Sequence, residues 1–306
     1  MNKSETKILA VIPTILPTER LLITCYNLVN SSLWFDCDVQ VIYNEAKPSA
    51  YSWLYDEHGN TETSYEHVEP AIWSHEMEDE LKDLADVFYP RTNLNWLHSC
   101  NLGLFSACHP AGKYSHVLLL NDDVDLCEGF LEKLVSSTDM TPDERDSTFP
   151  SITAPLYNGF WGQKQREVPW QNTEDRPPIP VNYVDGTCML IDTELIGKIG
   201  VLDGSFGAPG WGADVDYCFR ARQAGAAIAV CPNAYLWHDK QIGGYSAEKI
   251  YGSSGEWHVR GVCQAKYDLE AKYGPEFRDV LGLPQEAYEE TREGIRDVEA
   301  MRRSSN

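Results

Sequence analysis

Short apolar runs alternate along this chain with segments in which apolar residues recur at helical spacing. The continuous apolar run KILAVIP (7–13) predicts a strand buried on both faces, and DVQVIYN (38–44) and HVLLLN (116–121) predict further strands. Between 7–13 and 38–44, Thr18 is expected to cap a helix that runs to about Ser32. A strand, a helix and a strand at this spacing are typical of a parallel sheet.

Later segments extend the same pattern. Asn95 is expected to cap a helix toward His109, and the helical spacing after Trp211 is expected to stop at Gly225. Further strands are predicted at ITAPLY (152–157), YVDGTCMLID (183–192) and AIAVCP (227–232). The pattern therefore predicts an α/β fold with a mostly parallel central sheet flanked by helices.

Composition narrows the class of protein. The chain has 306 residues, enough for one large α/β domain or two modest ones, and its formal net charge of −22 argues against nucleic acid or an anionic membrane as a partner. Nine cysteines without a C-x-x-C pair predict reduced thiols in a cytoplasmic protein. The start MNKSETKILAVIPTIL imitates a signal peptide, but Pro13 interrupts its apolar run, and no run approaches the roughly 20 residues of a membrane span.

The most distinctive chemistry follows the strand HVLLLN. Asp122, Asp123 and Asp125 come directly after it, and ligands of open parallel sheets bind at the carboxyl ends of strands. Acids at such a place either solvate the end of a buried strand or hold a divalent cation, which prefers carboxylate oxygens and bridges diphosphates. The residues alone leave both interpretations open.

Five further stretches occur in a recognisable order: NLGLFSA (101–107), YSHVLLLNDDVDL (114–126), VDGTCMLIDTELIGKIGVLDGSF (184–206), WGADVDYCFRARQAG (211–225) and AVCPNAYLWH (229–238). In residues and spacing, this series resembles the GT-A glycosyltransferases, particularly the family 2 inverting enzymes that include rhamnosyl- and galactofuranosyltransferases. The likeness spans about residues 7–240. It implies a Rossmann-like GT-A domain over 1–240 that binds a nucleotide sugar and catalyses transfer, with a helical C-terminal extension over 241–306.

The resemblance also implies roles for single residues. The metal-binding acid of the family falls on Asp123, and the histidine that completes the metal site in several members falls on His238. Asn121 and Asp122 would then lie beside the ribose and diphosphate of the nucleotide. The catalytic acid, at the start of the helix after the Trp-Gly turn, falls on Asp214. Read without the resemblance, His238 would be a core or interface histidine, and Asp214 a helix N-terminal acid stabilised by the dipole.

Gly186 and Trp211 would line the donor sugar and acceptor site, although Trp211 is equally consistent with a core position. Two departures matter: many relatives carry an acid where this chain has Ala213, and many carry an acid for the base at the end of the second strand, where this chain reads Tyr43-Asn44-Glu45. The first bears on the positioning of Asp214, and the second leaves recognition of the nucleobase unassigned.

The expected activity is metal-dependent inverting transfer of a sugar from a nucleotide-diphosphate sugar to an acceptor hydroxyl, with Mn²⁺ or Mg²⁺ as cofactor. The acceptor would be a glycan, a lipid-linked saccharide or a small molecule. Asp214 is the expected base, kept ionised by its helix N-terminus. One alternative is a noncatalytic nucleotide-sugar-binding relative, motivated by Ala213. Another is a sugar nucleotidyltransferase, although IPTILPTER lacks the glycines of its phosphate loop. A glycosyltransferase acting on nucleic acid is the third, and the charge argues against it.

Overall fold

The computed structural model describes residues 7–15, 18–30, 36–44, 75–92, 94–109, 112–136, 150–158, 176–206, 210–238 and 265–274. The strands are β1 (Lys7–Thr14), β2 (Asp36–Tyr43), β3 (Asp86–Phe88), β4 (His116–Leu120), β5 (Val124–Leu126), β6 (Pro150–Tyr157), β7 (Ile179–Pro180), β8 (Cys188–Asp192) and β9 (Ala227–His238). The helices are α1 (Glu19–Asn30), α2 (His75–Leu84), α3 (Asn95–Cys108), α4 (Phe130–Ser136), α5 (Thr193–Ile199) and α6 (Ala213–Gln223), with a 3₁₀ turn at Gly204–Phe206 and helical residues at 265–273.

The described strands form one sheet in the order β3-β2-β1-β4-β8-β6-β9-β5, with β7 added beside β9. Parallel pairing joins β3, β2, β1 and β4, and β6 is parallel to β9. Because β8 is antiparallel to both β4 and β6, those two strands and β9 point in one direction. The prediction of a mostly parallel sheet is confirmed, and β5, β7 and β8 are the reversed strands.

The sheet is buried between two layers of helices. Alternate residues of β1 divide between the layers: Leu9 and Val11 pack with α3, α5 and α6, whereas Ile8, Ala10 and Ile12 pack with α1, α2 and α4. The α3 layer lies very close to the sheet, because a Cβ on Gly103 would stand 2.3 Å from a methyl carbon of Val11. The apolar run at the start of the chain is therefore a strand buried on both faces, as predicted.

The structure confirms some of the predicted element ends and not others. Thr18 caps α1, since the Leu21 N–H donates to its Oγ1 at 3.4 Å, and Gly225 ends the α6 turn with φ 83°. The predicted cap at Asn95 is wrong: Asn95 is the first residue of α3 and has φ 53°, and the cap position belongs to Leu94. The strand predicted over 183–192 pairs only from Cys188 onward.

The described part of the C-terminal region packs against the α3 layer. Leu269 joins the core of that layer, and the Tyr273 ring lies 4.4 Å from the Phe219 ring, centroid to centroid. None of the helices in the described ranges has the length and apolar character needed to cross a membrane. Four features that the sequence predicts lie outside the described residues: a helix cap at Ser74, a long loop over 46–73, most of a proline-rich loop over 158–180, and most of the helical extension beyond 240.

Candidate active site

One edge of the sheet collects the polar residues singled out in the sequence. Because β4 and β9 point in the same direction, Asn121 and His238 come to the same edge, where the carboxyl ends of the strands meet. The reversed strand β8 begins at this edge, so the preceding turn, Asp185–Thr187, lies there too. The Asn121 N–H donates to the Thr187 carbonyl oxygen at 3.0 Å and ties this turn to the end of β4.

Asp123 and His238 are in contact at this edge. Val124 pairs with His238 in the β5–β9 ladder, and this register brings the His238 Nε2 atom to 3.0 Å from Asp123 Oδ1. Asn158 holds the His238 backbone from both sides: its Oδ1 accepts from the His238 N–H at 2.8 Å, and its Nδ2 donates to the carbonyl at 3.0 Å. The strand register and these two bonds therefore fix the backbone of His238 close to Asp123.

The Asp123 carboxylate has a feature suited to a cation. The residue is only 4% exposed, and its Oδ1 accepts no hydrogen bond, so the contact with His238 lacks hydrogen-bond geometry although the distance would allow an ion pair. Two neighbouring ligands of an octahedral Mg²⁺, each at about 2.0–2.1 Å, lie about 3 Å apart. The observed 3.0 Å separation of the oxygen and the nitrogen therefore fits a shared divalent cation.

The protein would supply only a few of the ligands of such a cation. The described residues contain no group of three His, Cys, Asp or Glu side chains that could hold a metal ion. Asp123 and His238 would supply two ligands, and Mg²⁺ commonly takes one or two protein groups together with substrate phosphates and water. The donor set therefore suits a cation bound together with a phosphate-bearing ligand.

Asp122 lies beside this pair. Burial of its carboxyl group and the neighbouring charge of Asp123 raise the pKa of Asp122 to about 7, against the opposing influence of Thr14 and His238. Two adjacent carboxyl groups that repel each other provide a place where added positive charge is favourable.

The third acid after β4, Asp125, has a different partner. Asp125 belongs to β5, and its Oδ1 lies 3.2 Å from the Arg20 Nε atom of α1. Asp125 therefore pairs with α1, whereas Asp123 contacts His238, so Asp125 is left out of the candidate metal site.

Asp214 lies at the start of α6, after the turn Gly210–Gly212 in which both glycines have positive φ, 74° and 87°. Its Oδ2 accepts from the Gly186 N–H at 2.8 Å, and its Oδ1 accepts from the Val215 N–H, also at 2.8 Å. The structure thus joins Asp214 to Gly186, which the sequence had placed in the same site.

The electrostatics of Asp214 differ from the expectation. Burial of the carboxyl group and the nearby charge of Asp185 raise the pKa of Asp214 to about 7, and they outweigh the backbone N–H groups of Val215 and Gly186, which lower it. The helix N-terminus alone therefore does not hold this carboxyl group ionised, contrary to the expectation. A carboxyl group with a pKa near neutrality is suited to exchange protons at physiological pH.

Trp96 connects the two halves of the site, and the sequence did not single it out. Its Nε1 donates to Asn121 Oδ1 at 3.2 Å. A Cβ on Gly186 would stand 2.9 Å from two atoms of the indole ring and 3.3 Å from Asp214 Oδ2. The helical spacing around Trp96 indicates only a core-facing position, because a periodic pattern cannot separate an aromatic residue of the core from one that borders a ligand site.

Trp211 lies half-buried in the glycine turn before Asp214. This turn packs on the start of α3, since a Cβ on Gly210 would meet the Leu97 Cβ at 2.7 Å. The turn that precedes Asp214 is therefore fixed by direct contact with α3, the helix that carries Trp96.

Asp216, the other acid at the start of α6, has a structural role. It is fully buried, and its Oδ2 accepts from Arg220 Nε at 2.8 Å. Its Oδ1 accepts from Lys272 Nζ and from the Tyr273 hydroxyl, both at 2.5 Å. Lys272 also reaches Asp203 at 2.6 Å. Asp216 thus anchors residues 265–273 to α6, and these donors make it a poor candidate for the base.

Asn44, at the end of β2, has a structural role. Asn44 is buried; its Nδ2 donates to Ser99 Oγ at 2.9 Å, and its Oδ1 accepts from the Leu94 N–H at 2.8 Å. These bonds join β2 to the start of α3. Both polar atoms of the Asn44 side chain are therefore engaged within the protein.

The comparisons with known proteins support the fold. No protein-family model matches the chain. Three uncharacterized mycobacterial proteins, one from Mycobacterium bovis and two from strains of Mycobacterium tuberculosis, are 30% identical to it over 155 residues. The match covers 49% of this chain and 55% of each relative, so the chain spans about half the length of the curated relatives it matches.

Among solved structures, the mannosyltransferase PcManGT from Pyrobaculum calidifontis, in complex with GDP-Man and Mn²⁺, covers 92% of this chain and 70% of its own length, with a TM-score of 0.52 and 13% identity. GalNAc-T7, solved with UDP, GalNAc and Mn²⁺, covers 76% of this chain and 43% of its own length, with a TM-score of 0.49 and 14% identity. The central sheet of mostly parallel strands flanked by helices is that of the GT-A fold.

Proposed function

We propose that this protein is a metal-dependent inverting glycosyltransferase that moves a sugar from a nucleotide-diphosphate sugar to an acceptor hydroxyl. One observation carries the proposal: the contact between Asp123 and His238 lies at the same sheet edge as the turn whose Gly186 N–H donates to Asp214, and Trp96 lies between Asn121 and Gly186. Such a transfer uses a cation at the departing diphosphate and a base for the acceptor's proton, and the cation-suited pair and the Asp214 carboxyl group can supply these two chemistries.

Asp123 and His238 are the proposed ligands of Mn²⁺ or Mg²⁺, with Asp122 and Asn121 beside the nucleotide's diphosphate and ribose. When bound, the cation would neutralise the charge that grows on the departing diphosphate. The formal net charge of −22 makes such neutralisation important, because the protein itself repels a diphosphate.

Asp214 is the proposed base. The acceptor oxygen forms a bond to the anomeric carbon while the bond from that carbon to the diphosphate oxygen breaks. The acceptor's proton passes to a carboxylate oxygen of Asp214, and the bonding electrons leave with the diphosphate. Attack from the face opposite the leaving group inverts the anomeric centre. The amide N–H groups of Gly186 and Val215 orient the carboxylate.

The acceptor is proposed to be a glycan, a lipid-linked saccharide or a small molecule, and the site of action the cytoplasm. Residues 1–240 are proposed as the catalytic domain. Within 241–306, the part at 265–273 adds contacts to α6 through Lys272 and Tyr273.

A thermal-shift screen of nucleotide-diphosphate sugars, with and without Mn²⁺, tests the donor and metal parts of the proposal. A donor present at a hundred times its dissociation constant should stabilise the folded protein by about 2.7 kcal/mol. Asp123→Asn should abolish the Mn²⁺-dependent part, and His238→Ala should reduce it less, because water can replace one neutral ligand. Asp125→Asn is the matched control, since that acid pairs with Arg20 outside the site.

The proposal fails if no donor stabilises the protein, or if Asp123→Asn and Asp125→Asn respond to Mn²⁺ and donor alike. Binding of a donor, with neither sugar transfer nor slow hydrolysis of the donor, would instead favour a noncatalytic nucleotide-sugar-binding protein.

A further inference from the structure

The turn before β8 is built around the side chain of Asp185. Asp185 Oδ1 accepts from the Thr187 N–H at 2.8 Å and also accepts a short hydrogen bond from the Thr187 hydroxyl. The Thr187 carbonyl accepts in turn from the Asn121 N–H. Both ends of the turn are thereby fixed, and the one N–H between them, that of Gly186, donates to Asp214 Oδ2.

Asp185 is also the acid that acts electrostatically on Asp214. The titratable groups facing Asp214 in the described ranges are Asp185 and Tyr183, from the segment before β8, and Cys218, from α6 itself. Burial raises the pKa of Tyr183 to about 12, with Asp214 adding to the effect, and burial raises the pKa of Cys218 to about 12, so both are neutral near pH 7. From α3, the adjoining side chain is the uncharged Trp96.

We propose that Asp185 is a positioning residue for the base: its carboxylate shapes the turn that holds the Gly186 N–H against Asp214 and places a second negative charge beside it. This inference rests on the proposed function, in which Asp214 takes the acceptor's proton. The two actions are complementary. The N–H fixes the direction of the Asp214 carboxylate, and the charge of Asp185 makes Asp214 a stronger base than an isolated aspartate.

Asp185→Asn separates the two actions. Asparagine keeps a side-chain carbonyl oxygen that can accept from Thr187, so the turn is retained, whereas the negative charge is lost. The decisive readout is the ionisation of Asp214, followed by ¹³C NMR of carboxyl-labelled aspartate, with the resonance assigned by its absence in Asp214→Asn. The midpoint of the Asp214 titration should move to lower pH by about one unit. Asp125→Asn is the control and should leave the midpoint in place.

The pH dependence of kcat/KM gives the second readout. The rate of the wild-type protein should rise with pH through about pH 7, as Asp214 loses its proton. In Asp185→Asn, a midpoint lowered by one unit would raise the rate at pH 6, relative to the variant's own plateau, by about fivefold, while a weaker base lowers the plateau itself. Asp185→Ala, which also loses the turn, should lower the plateau further.

An Asp214 midpoint that is the same in the wild type and in Asp185→Asn overturns the inference, whatever the activity. A lowered midpoint in a protein that transfers no sugar would leave the action of Asp185 on Asp214 standing and would refute the proposed function. A pure loss of rate in Asp185→Asn, with an unshifted pH profile, would reduce Asp185 to a fold-stabilising residue and also overturn the inference.

Discussion

Asp214→Asn should make the folded protein more stable above pH 7, although the same change should remove the proposed base. The pKa of Asp214 is about 7 in the folded protein and 3.8 in an ordinary aspartate, so between those values the folded state binds more protons than the unfolded state. Folding stability therefore falls as the pH rises from about 4 to 7, and above pH 7 the full cost of a buried charge beside Asp185 is present.

The size of the effect follows from the same shift. At about 1.36 kcal/mol for each pKa unit, the difference between 3.8 and about 7 corresponds to at most about 4 kcal/mol. Asparagine carries one side-chain oxygen, so it keeps only one of the two backbone hydrogen bonds that Asp214 accepts, a loss of about 1 kcal/mol. We expect a net stabilisation of about 1–3 kcal/mol at pH 8 and almost none at pH 4, where Asp214 is protonated.

Urea unfolding of both proteins at pH 4, 6 and 8 measures this difference. The gain in the free energy of unfolding should grow with pH, and the slope with urea concentration should be unchanged. A variant that is less stable than the wild type at pH 8, or a difference that does not depend on pH, would refute the argument that Asp214 is ionised there at a cost to the fold.

Two further predictions concern the surroundings of Asp214. Gly186→Ala should reduce the rate of transfer by at least tenfold, because the added methyl group would stand 2.9 Å from the Trp96 ring and push against Asp214. Combining it with Trp96→Leu should recover part of the rate. A double variant without any recovery would contradict the steric explanation. Asp216→Asn should destabilise the fold by about 3 kcal/mol in urea, since it leaves Arg220 and Lys272 without their buried carboxylate. Asp203→Asn removes only the exposed partner of Lys272 and should cost less; equal losses would contradict the role given to Asp216.

The centre of the sheet could be predicted from the sequence because β1 and β4 are nearly continuous apolar runs. In β1, residues on both faces are buried, so the run KILAVIP needs no alternation to be recognised. The reversal of β8 could not be predicted, since the direction of a strand is set by its partners and leaves no local pattern. The strand predicted over 183–192 also begins too early, since it includes the Asp185–Thr187 turn that precedes β8.

The candidate site, like the sheet, could be predicted only in part. The roles given to Asp123, His238 and Asp214 came from resemblance, and they stay predictions; the structure adds the 3.0 Å contact and the Gly186 hydrogen bond. The sequence does not single out Trp96 and Asp185, because their importance depends on contacts between segments far apart in the chain. A tryptophan at helical spacing or an aspartate before a strand has no local signature of such contacts.

The departure of Asp125 from the site has a simple physical origin. Three acids in four positions suggest one cluster, but each acid takes the partner that the fold brings within reach. Once Val124–Leu126 pair with β9, Asp125 faces Arg20 while Asp123 faces His238. The pairing that decides this involves residues more than a hundred positions away, so the local sequence cannot predict it.

The central claim is that Asp214 removes a proton from the acceptor during inverting transfer. The most direct test is single-turnover transfer with a donor found by the thermal-shift screen, with Mn²⁺ present, comparing the wild type with Asp214→Asn. We predict a product of inverted anomeric configuration, a rate about 10² to 10⁴ times lower in the variant, and a donor dissociation constant that is almost unchanged. A product of retained configuration, or full activity in Asp214→Asn, would contradict the account.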